Sequence, residues 1–147
     1  MNHLKNLLHP SILELVIIGV IVILIVFLVI RFLPRRLKQS YFVDKWRKLQ
    51  VYCKEQRTWH KALIEADKLL ARALKRKKFK GKSMGEKMVS AQHTFTDNDS
   101  VWYAHALYKK IVEKKRRKLK QSEIKDALVG YRQALRDLGA LPKDETK

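Results

Sequence analysis

Residues 59–75 read WHKALIEADKLLARALK, and the spacing of their apolar positions decides the fold class. Trp59, Ala62, Leu63, Ala66, Leu69, Leu70 and Ala73 recur at i, i+3, i+4 and i+7. That is the period of a helix with one face turned to a core. Upstream, Trp46, Leu49 and Cys53 begin a similar stripe, and residues 41–76 read either as one bent helix or as two. Downstream, LKRKKFKGK puts basic residues in the last turn and Gly81 at the stop.

Ser83-Met84-Gly85-Glu86 has capping-box spacing, which predicts a short helix from about Met84 to Phe95. Thr96-Asp97-Asn98-Asp99-Ser100 is turn chemistry able to cap a third core helix. That helix carries Trp102, Ala104, Leu107, Tyr108, Ile111 and Val112. The last helix aligns Ile124, Ala127, Leu128, Tyr131, Leu135 and Leu138, with Gly139 and Pro142 behind it.

The N-terminal end obeys a different rule. Ile12 to Leu33 contains IIGVIVILIVFLVI and only Glu14 and Arg31 as charges, both near its ends. At ~1.5 Å per residue this stretch covers roughly 33 Å, about the hydrocarbon thickness of a bilayer. A cleavable signal peptide would have a shorter apolar run and small residues before its cut. Here the run leads into Phe32-Leu33-Pro34-Arg35-Arg36, so the reading is a retained signal anchor. Lys5 is the only Lys or Arg before it, whereas Arg31, Arg35, Arg36 and Lys38 follow closely. The positive-inside rule then expects the N-terminus outside and the C-terminal domain in the cytoplasm. Gly19 is followed four residues on by Ile23, so no G-x-x-x-G dimer signal is present.

The expected architecture is all-α: a single N-terminal transmembrane helix followed by a small antiparallel bundle of four to five helices. Residues 1–11 read as a short extracytoplasmic N-terminus and 12–33 as the span. Residues 34–43 read as a basic juxtamembrane linker, 44–141 as the helical domain and 142–147 as a tail. A domain this small is marginally stable, so a homodimer or docking to the membrane is expected to contribute.

Motifs for chemistry are sparse. The single Cys53 excludes an internal disulfide and reads as a small core residue. Gly81-Lys82-Ser83 lacks the glycine that a phosphate loop requires five positions earlier, where Arg76 stands, and it follows a helix instead of a strand. His3, His9, His60, His93 and His105 share no ligand spacing with one another or with Cys53. His60 and His105, each beside a tryptophan, read as packed or surface imidazoles. No metal and no cofactor is expected.

Charge is the strongest remaining signal. The net charge is +19, and residues 1–30 hold one Lys and one Glu, so the whole excess begins at Arg31. Three clusters carry it: Arg31 to Lys48, Lys75 to Lys82, and Lys109 to Lys120. The first adjoins the anchor and is largely explained by topology. The other two give a candidate contact surface: Lys75, Arg76, Lys77, Lys78, Lys80 and Lys82, then Lys114, Lys115, Arg116, Arg117, Lys118 and Lys120. Candidate partners are anionic lipid headgroups, nucleic acid or an acidic protein, against a plain solvated face. Only Phe79 and Tyr108 are aromatics near those two clusters, too few for a base-stacking platform.

WHKALIEADKLLARALK, FKGKSMGEKM, VWYAHALYKKIV and YRQALRDLGAL together resemble a family of small bacterial proteins, often membrane-anchored, over roughly residues 44–141. In that family the third helix continues AH-x-L-R-N-x-I-A-H, which looks like the signature of the HEPN superfamily. The resemblance implies an all-α, commonly dimeric domain, in many members a ribonuclease whose Arg and His meet at the dimer cleft. Laid on this chain, the expected Arg falls at Tyr108, the Asn at Lys109 and the His at Glu113. A shifted Arg is also missing, because the positions ahead of His60, His93 and His105 hold Cys53-Lys54-Glu55, Glu86-Lys87-Met88 and Asn98-Asp99-Ser100. The expectation is a non-catalytic binding or scaffold module. The alternative is a membrane-tethered ribonuclease or toxin-related enzyme with a divergent site.

Overall fold

The computed structural model describes residues 11–33, 36–113 and 118–143, and among them every regular element is helical. The chain divides into two compact units, residues 1–34 and 35–147.

The first unit holds one helix, α1 (Ile12–Phe32). It is the one helix among the described residues that is long and apolar enough to cross a membrane. Its lone carboxylate has a local explanation. Ser11 Oγ accepts from the Glu14 N–H at 3.4 Å, and Glu14 Oε2 accepts from the Ser11 N–H at 3.0 Å. Glu14 therefore completes a capping box that satisfies N–H groups the first turn leaves without partners.

The second unit is a bundle of five helices: α2 (Gln39–Val51), α3 (Trp59–Arg76), α4 (Met84–Ala91), α5 (Asn98–Val112) and α6 (Gln121–Asp137). Residues 41–76 thus form two helices, joined by a tied connection at residues 52–58. There the Thr58 hydroxyl donates to the Tyr52 carbonyl at 2.7 Å, and the Trp59 indole N–H donates to the Cys53 carbonyl at 3.0 Å. Helix α2 begins at Gln39, inside the stretch 34–43 expected as linker, because Phe42 belongs to the core. Phe42, Trp46 and Leu49 make its buried stripe, while Cys53 is only half-buried.

Helix α3 is central and packs on α2, α4, α5 and α6. Ala62, Leu63, Ala66, Leu69, Leu70, Ala73 and Leu74 are all buried, as the opening stretch predicts. Its stop differs from expectation. Lys78, not Gly81, takes the left-handed conformation, at φ 63°. The Phe79 N–H reaches the Leu74 carbonyl and the Lys78 N–H the Lys75 carbonyl, a Schellman closure. Gly81 is needed for another reason. At φ 140° a Cβ there would lie 2.6 Å from Glu86 Cβ, where the chain folds onto the start of α4.

Helix α4 ends at Ala91, short of the Phe95 boundary, and Phe95 anchors the following turn in the core. The face of α5 largely matches the expected one, with Tyr108 and Ile111 also packed against the core, but its margins differ. Val101, Ala104, His105 and Leu107 are buried, whereas Val112 is exposed and Trp102 lies at the rim against Gly85. Helix α6 returns antiparallel to α5, with Asp137 accepting from Thr96 and Gly130 against the Ser100 carbonyl. Its expected face holds: Ile124, Ala127, Tyr131, Leu135 and Leu138 are buried, Leu128 is half-buried against the core, and Gly139 closes the helix at φ 73°.

Candidate functional site: a buried polar network and a basic cleft

Two charged or polar groups stand out in the apolar core, Asp67 at 5 % and His105 at 8 % exposure. They meet each other. His105 Nδ1 lies 2.7 Å from Asp67 Oδ1, and the Tyr131 hydroxyl donates to the same oxygen at 2.8 Å. Since a carboxylate only accepts, Nδ1 is the protonated nitrogen of His105. Burial, and then the charge of Asp67, pushes the Tyr131 phenol far above its ordinary range, so it stays a donor. The His105 ring stacks on Tyr108 at 5.7 Å with 22° between planes, and Trp102 meets it edge-on at 6.4 Å. The network ties α3, α5 and α6 together.

This settles where the motif-position residues lie. Tyr108 is half-buried as a lid on the His105 ring, Lys109 is exposed on the last turn of α5, and Glu113 is exposed at its C-cap. Asp67 escaped the sequence reading although it sits four residues after Leu63 and three before Leu70, mid-stripe on a core-facing helix. A charged residue at such a position was the available signal.

The second feature is a cleft of about 510 Å³ between α2 and α3. The two helices run antiparallel, and each turns a stripe of 3–4 spacing toward the other. On α2 the stripe is Tyr41, Lys45 and Lys48, continued by Tyr52 at its end; on α3 it is Glu65, Lys68 and Arg72. Leu49 and Leu69 supply apolar lining. At one end the cations gather on an aromatic ring. Lys45 Nζ lies 5.8 Å, Arg72 Cζ 5.3 Å and Arg76 Cζ 6.0 Å from the Tyr41 centroid, and Arg72 also hydrogen-bonds the Tyr41 hydroxyl. The ring quadrupole offsets part of the repulsion among three cations held this close.

At the other end the charges are matched. Lys68 pairs with Glu65 at 2.9 Å and Lys48 with Asp44 at 3.0 Å, both at the exposed surface. The hydrogen bond and charge of Glu65 hold the Lys68 ammonium above its usual range. None of the described ion pairs takes up Lys45, Arg72 or Arg76.

Of the described residues predicted as contact surface, only Arg76 joins this cluster, beside the cleft and outside its lining. Lys75, Lys78, Lys80 and Lys82 are exposed along the end of α3 and the following turn, and Lys77 is half-buried at its C-cap. Backbone N–H groups of Lys80 and Lys82 are tied to Ser90 Oγ and the Glu86 carboxylate. Lys118 and Lys120 are exposed ahead of α6, and Lys114, Lys115, Arg116 and Arg117 lie outside the described residues. Tyr41, Lys45 and Lys48 fall in the basic cluster that topology explains, and Lys68 and Arg72 fall in none of the three clusters, so their sequence positions alone do not mark a site.

Among the described residues no group of three or more His, Cys, Asp or Glu converges as metal ligands. No protein-family profile, curated protein or solved structure matches the chain. Chemically, the buried network can hold the bundle in one arrangement, and the cleft can bind an anion.

Proposed function

We propose that this chain is a single-pass membrane-anchored helical binding module, with α1 as the anchor and the bundle, on the cytoplasmic side, as the binding unit. Its work is the capture of a polyanionic partner, without catalysis of its own. The observation that carries this reading is the gathering of Lys45, Arg72 and Arg76 on Tyr41 with no carboxylate among them. Like charges repel, so concentrating them costs free energy unless an anion is there to meet them. Support for a non-catalytic role is the solvent-shielded Asp67–His105–Tyr131 set, in which His105 Nδ1 and the Tyr131 hydroxyl both meet Asp67 Oδ1, and the Tyr108, Lys109 and Glu113 that stand where the HEPN-type Arg, Asn and His are expected.

The test uses the full chain in neutral detergent, presented with RNA and with anionic lipid over a range of salt. The expected result is retention of a polyanion that weakens steeply with salt, with the RNA left intact. RNA cleavage abolished by Tyr108→Ala together with Glu113→Ala would instead make the chain a divergent ribonuclease. Retention of neither polyanion at low salt removes the binding reading.

A further inference from the structure

We infer that the cleft between α2 and α3 is a site for the phosphate of an anionic phospholipid headgroup, with Lys45, Arg72 and Arg76 as its ligating cations. The inference rests on the binding-module reading and names its partner.

Four observations lead to it. First, the site has a shape: a volume of about 510 Å³ falls within the roughly 300–1,000 Å³ of small-ligand sites. Second, its chemistry is graded along its length. The Tyr41 end offers the Arg72 guanidinium and the Lys45 ammonium in its lining, with the Arg76 guanidinium beside it on the same ring, and a phosphate oxygen pair matches a guanidinium fork in geometry and charge. The Lys48 and Lys68 end offers ammonium groups already held by exposed carboxylates, which suits hydroxyl or amine groups of a headgroup.

Third, Tyr41 is a poor stacking platform for a nucleobase. Three cations lie over its ring and its hydroxyl is engaged by Arg72. Single-strand binding needs open aromatic faces, so nucleic acid is the less favoured anion here. Fourth, the tether is short. Tyr41 is eight residue steps on from Leu33, at the end of the apolar stretch, and an extended chain of that length reaches at most ~28 Å. Anionic lipid is thus the polyanion that the anchor itself supplies at high local concentration.

The experiment titrates the full chain, in neutral maltoside micelles, with dioctanoyl phosphatidic acid and reads bound lipid by native mass spectrometry. Three proteins are compared: wild type, Lys45→Gln/Arg72→Gln/Arg76→Gln, and the charge-matched control Lys77→Gln/Lys80→Gln/Lys82→Gln. Helix content by circular dichroism checks that all three are folded. A fourth variant, Tyr41→Leu, leaves every charge in place and removes the ring that gathers them. The expected result is at least a tenfold rise in Kd for the cleft triple, a threefold or greater rise for Tyr41→Leu, and less than threefold for the control.

Equal losses in the two triples would reduce the effect to bulk charge and overturn the site, while leaving the basic module intact. Competition by glycerol 3-phosphate at the same concentration as the lipid would make the ligand a free phosphate ester and overturn the lipid assignment. If the wild type ignores the lipid but binds an oligouridine, the partner is wrong and the module reading survives. Binding to neither sinks both.

Discussion

Removing the Tyr131 hydroxyl tests whether the buried network, and not apolar packing alone, fixes the bundle. In Tyr131→Phe the ring keeps its place in the core and only the 2.8 Å bond to Asp67 is lost. A hydrogen bond to a charged group contributes about 1.5–3 kcal/mol, and Asp67 retains its bond to His105. For a domain of this size about 1 kcal/mol corresponds to about 4–8 °C, so Tm should fall by roughly 6–24 °C. Asp67→Ala should cost more, about 3–5 kcal/mol, because it leaves both the His105 N–H and the Tyr131 O–H buried without their acceptor.

The decisive quantity is the coupling between these two changes. In Asp67→Ala/Tyr131→Phe the phenol is no longer an orphaned donor, so the double penalty should fall short of the sum by about 1–3 kcal/mol. The assay is thermal unfolding of the full chain in neutral detergent, followed by ellipticity and by tryptophan fluorescence. A Tm shift below about 2 °C for Tyr131→Phe, or additivity within about 0.3 kcal/mol, would refute the network as a stabilising unit.

Gly130→Ala should destabilise by about 1–3 kcal/mol, although alanine is the better helix former by about 1 kcal/mol, because its Cβ would lie 2.6 Å from the Ser100 carbonyl oxygen. Urea unfolding checks the sign, and a stabilised variant would mean that α5 and α6 do not meet so closely. Lys78→Gly should stabilise by about 0.5–1 kcal/mol, since glycine takes φ 63° without the left-handed penalty that outweighs its extra unfolded-state entropy; the urea midpoint reads it. Glu86 and Asp97 have depressed folded-state values, Glu86 from the Lys82 N–H first and Asp97 from the Ser100 hydroxyl first. Their contribution is therefore present above their unfolded values near 4 and is lost as pH falls through the folded ones. Stability of Glu86→Gln/Asp97→Asn should depend less on pH than that of wild type below about pH 4, as a pH series of melts would show.

The sequence was legible where one period rules and illegible where two faces of one helix both matter. The α6 stripe ends in glycine and proline and reads straight off the chain, and so does the apolar stripe of α3. The start of α2 was hidden because Gln39, Ser40 and Tyr41 continue the polar character that follows the anchor, and only packing reveals Phe42 as core. The place of Val101 and His105 in the α5 core face was hidden because Trp102 outweighs them in hydrophobicity, yet Gly85 offers it a rim seat. The cleft required pairing two stripes, 41/45/48/52 and 65/68/72, from helices whose antiparallel alignment no local pattern announces.

Helix α3 links binding to stability in this bundle, because one rigid element carries both faces. Leu63, Asp67, Leu70 and Leu74 face inward, while Glu65, Lys68, Arg72 and Arg76 occupy the opposite side. The inward set is locked by Asp67, whose bonds to α5 and α6 fix the rotation of α3 about its axis. A turn of one residue position would carry Asp67 away from His105 and Tyr131, and Arg72 and Arg76 away from Tyr41. The buried carboxylate, costly by itself, thus aligns the cations with the ring on α2. On this argument Tyr131→Phe should weaken anion binding only as far as it loosens α3, whereas Arg72→Gln should weaken binding with little loss of stability. If Tyr131→Phe lowers Tm as expected while the lipid affinity stays at its wild-type value, the two faces of α3 are independent and this coupling is wrong.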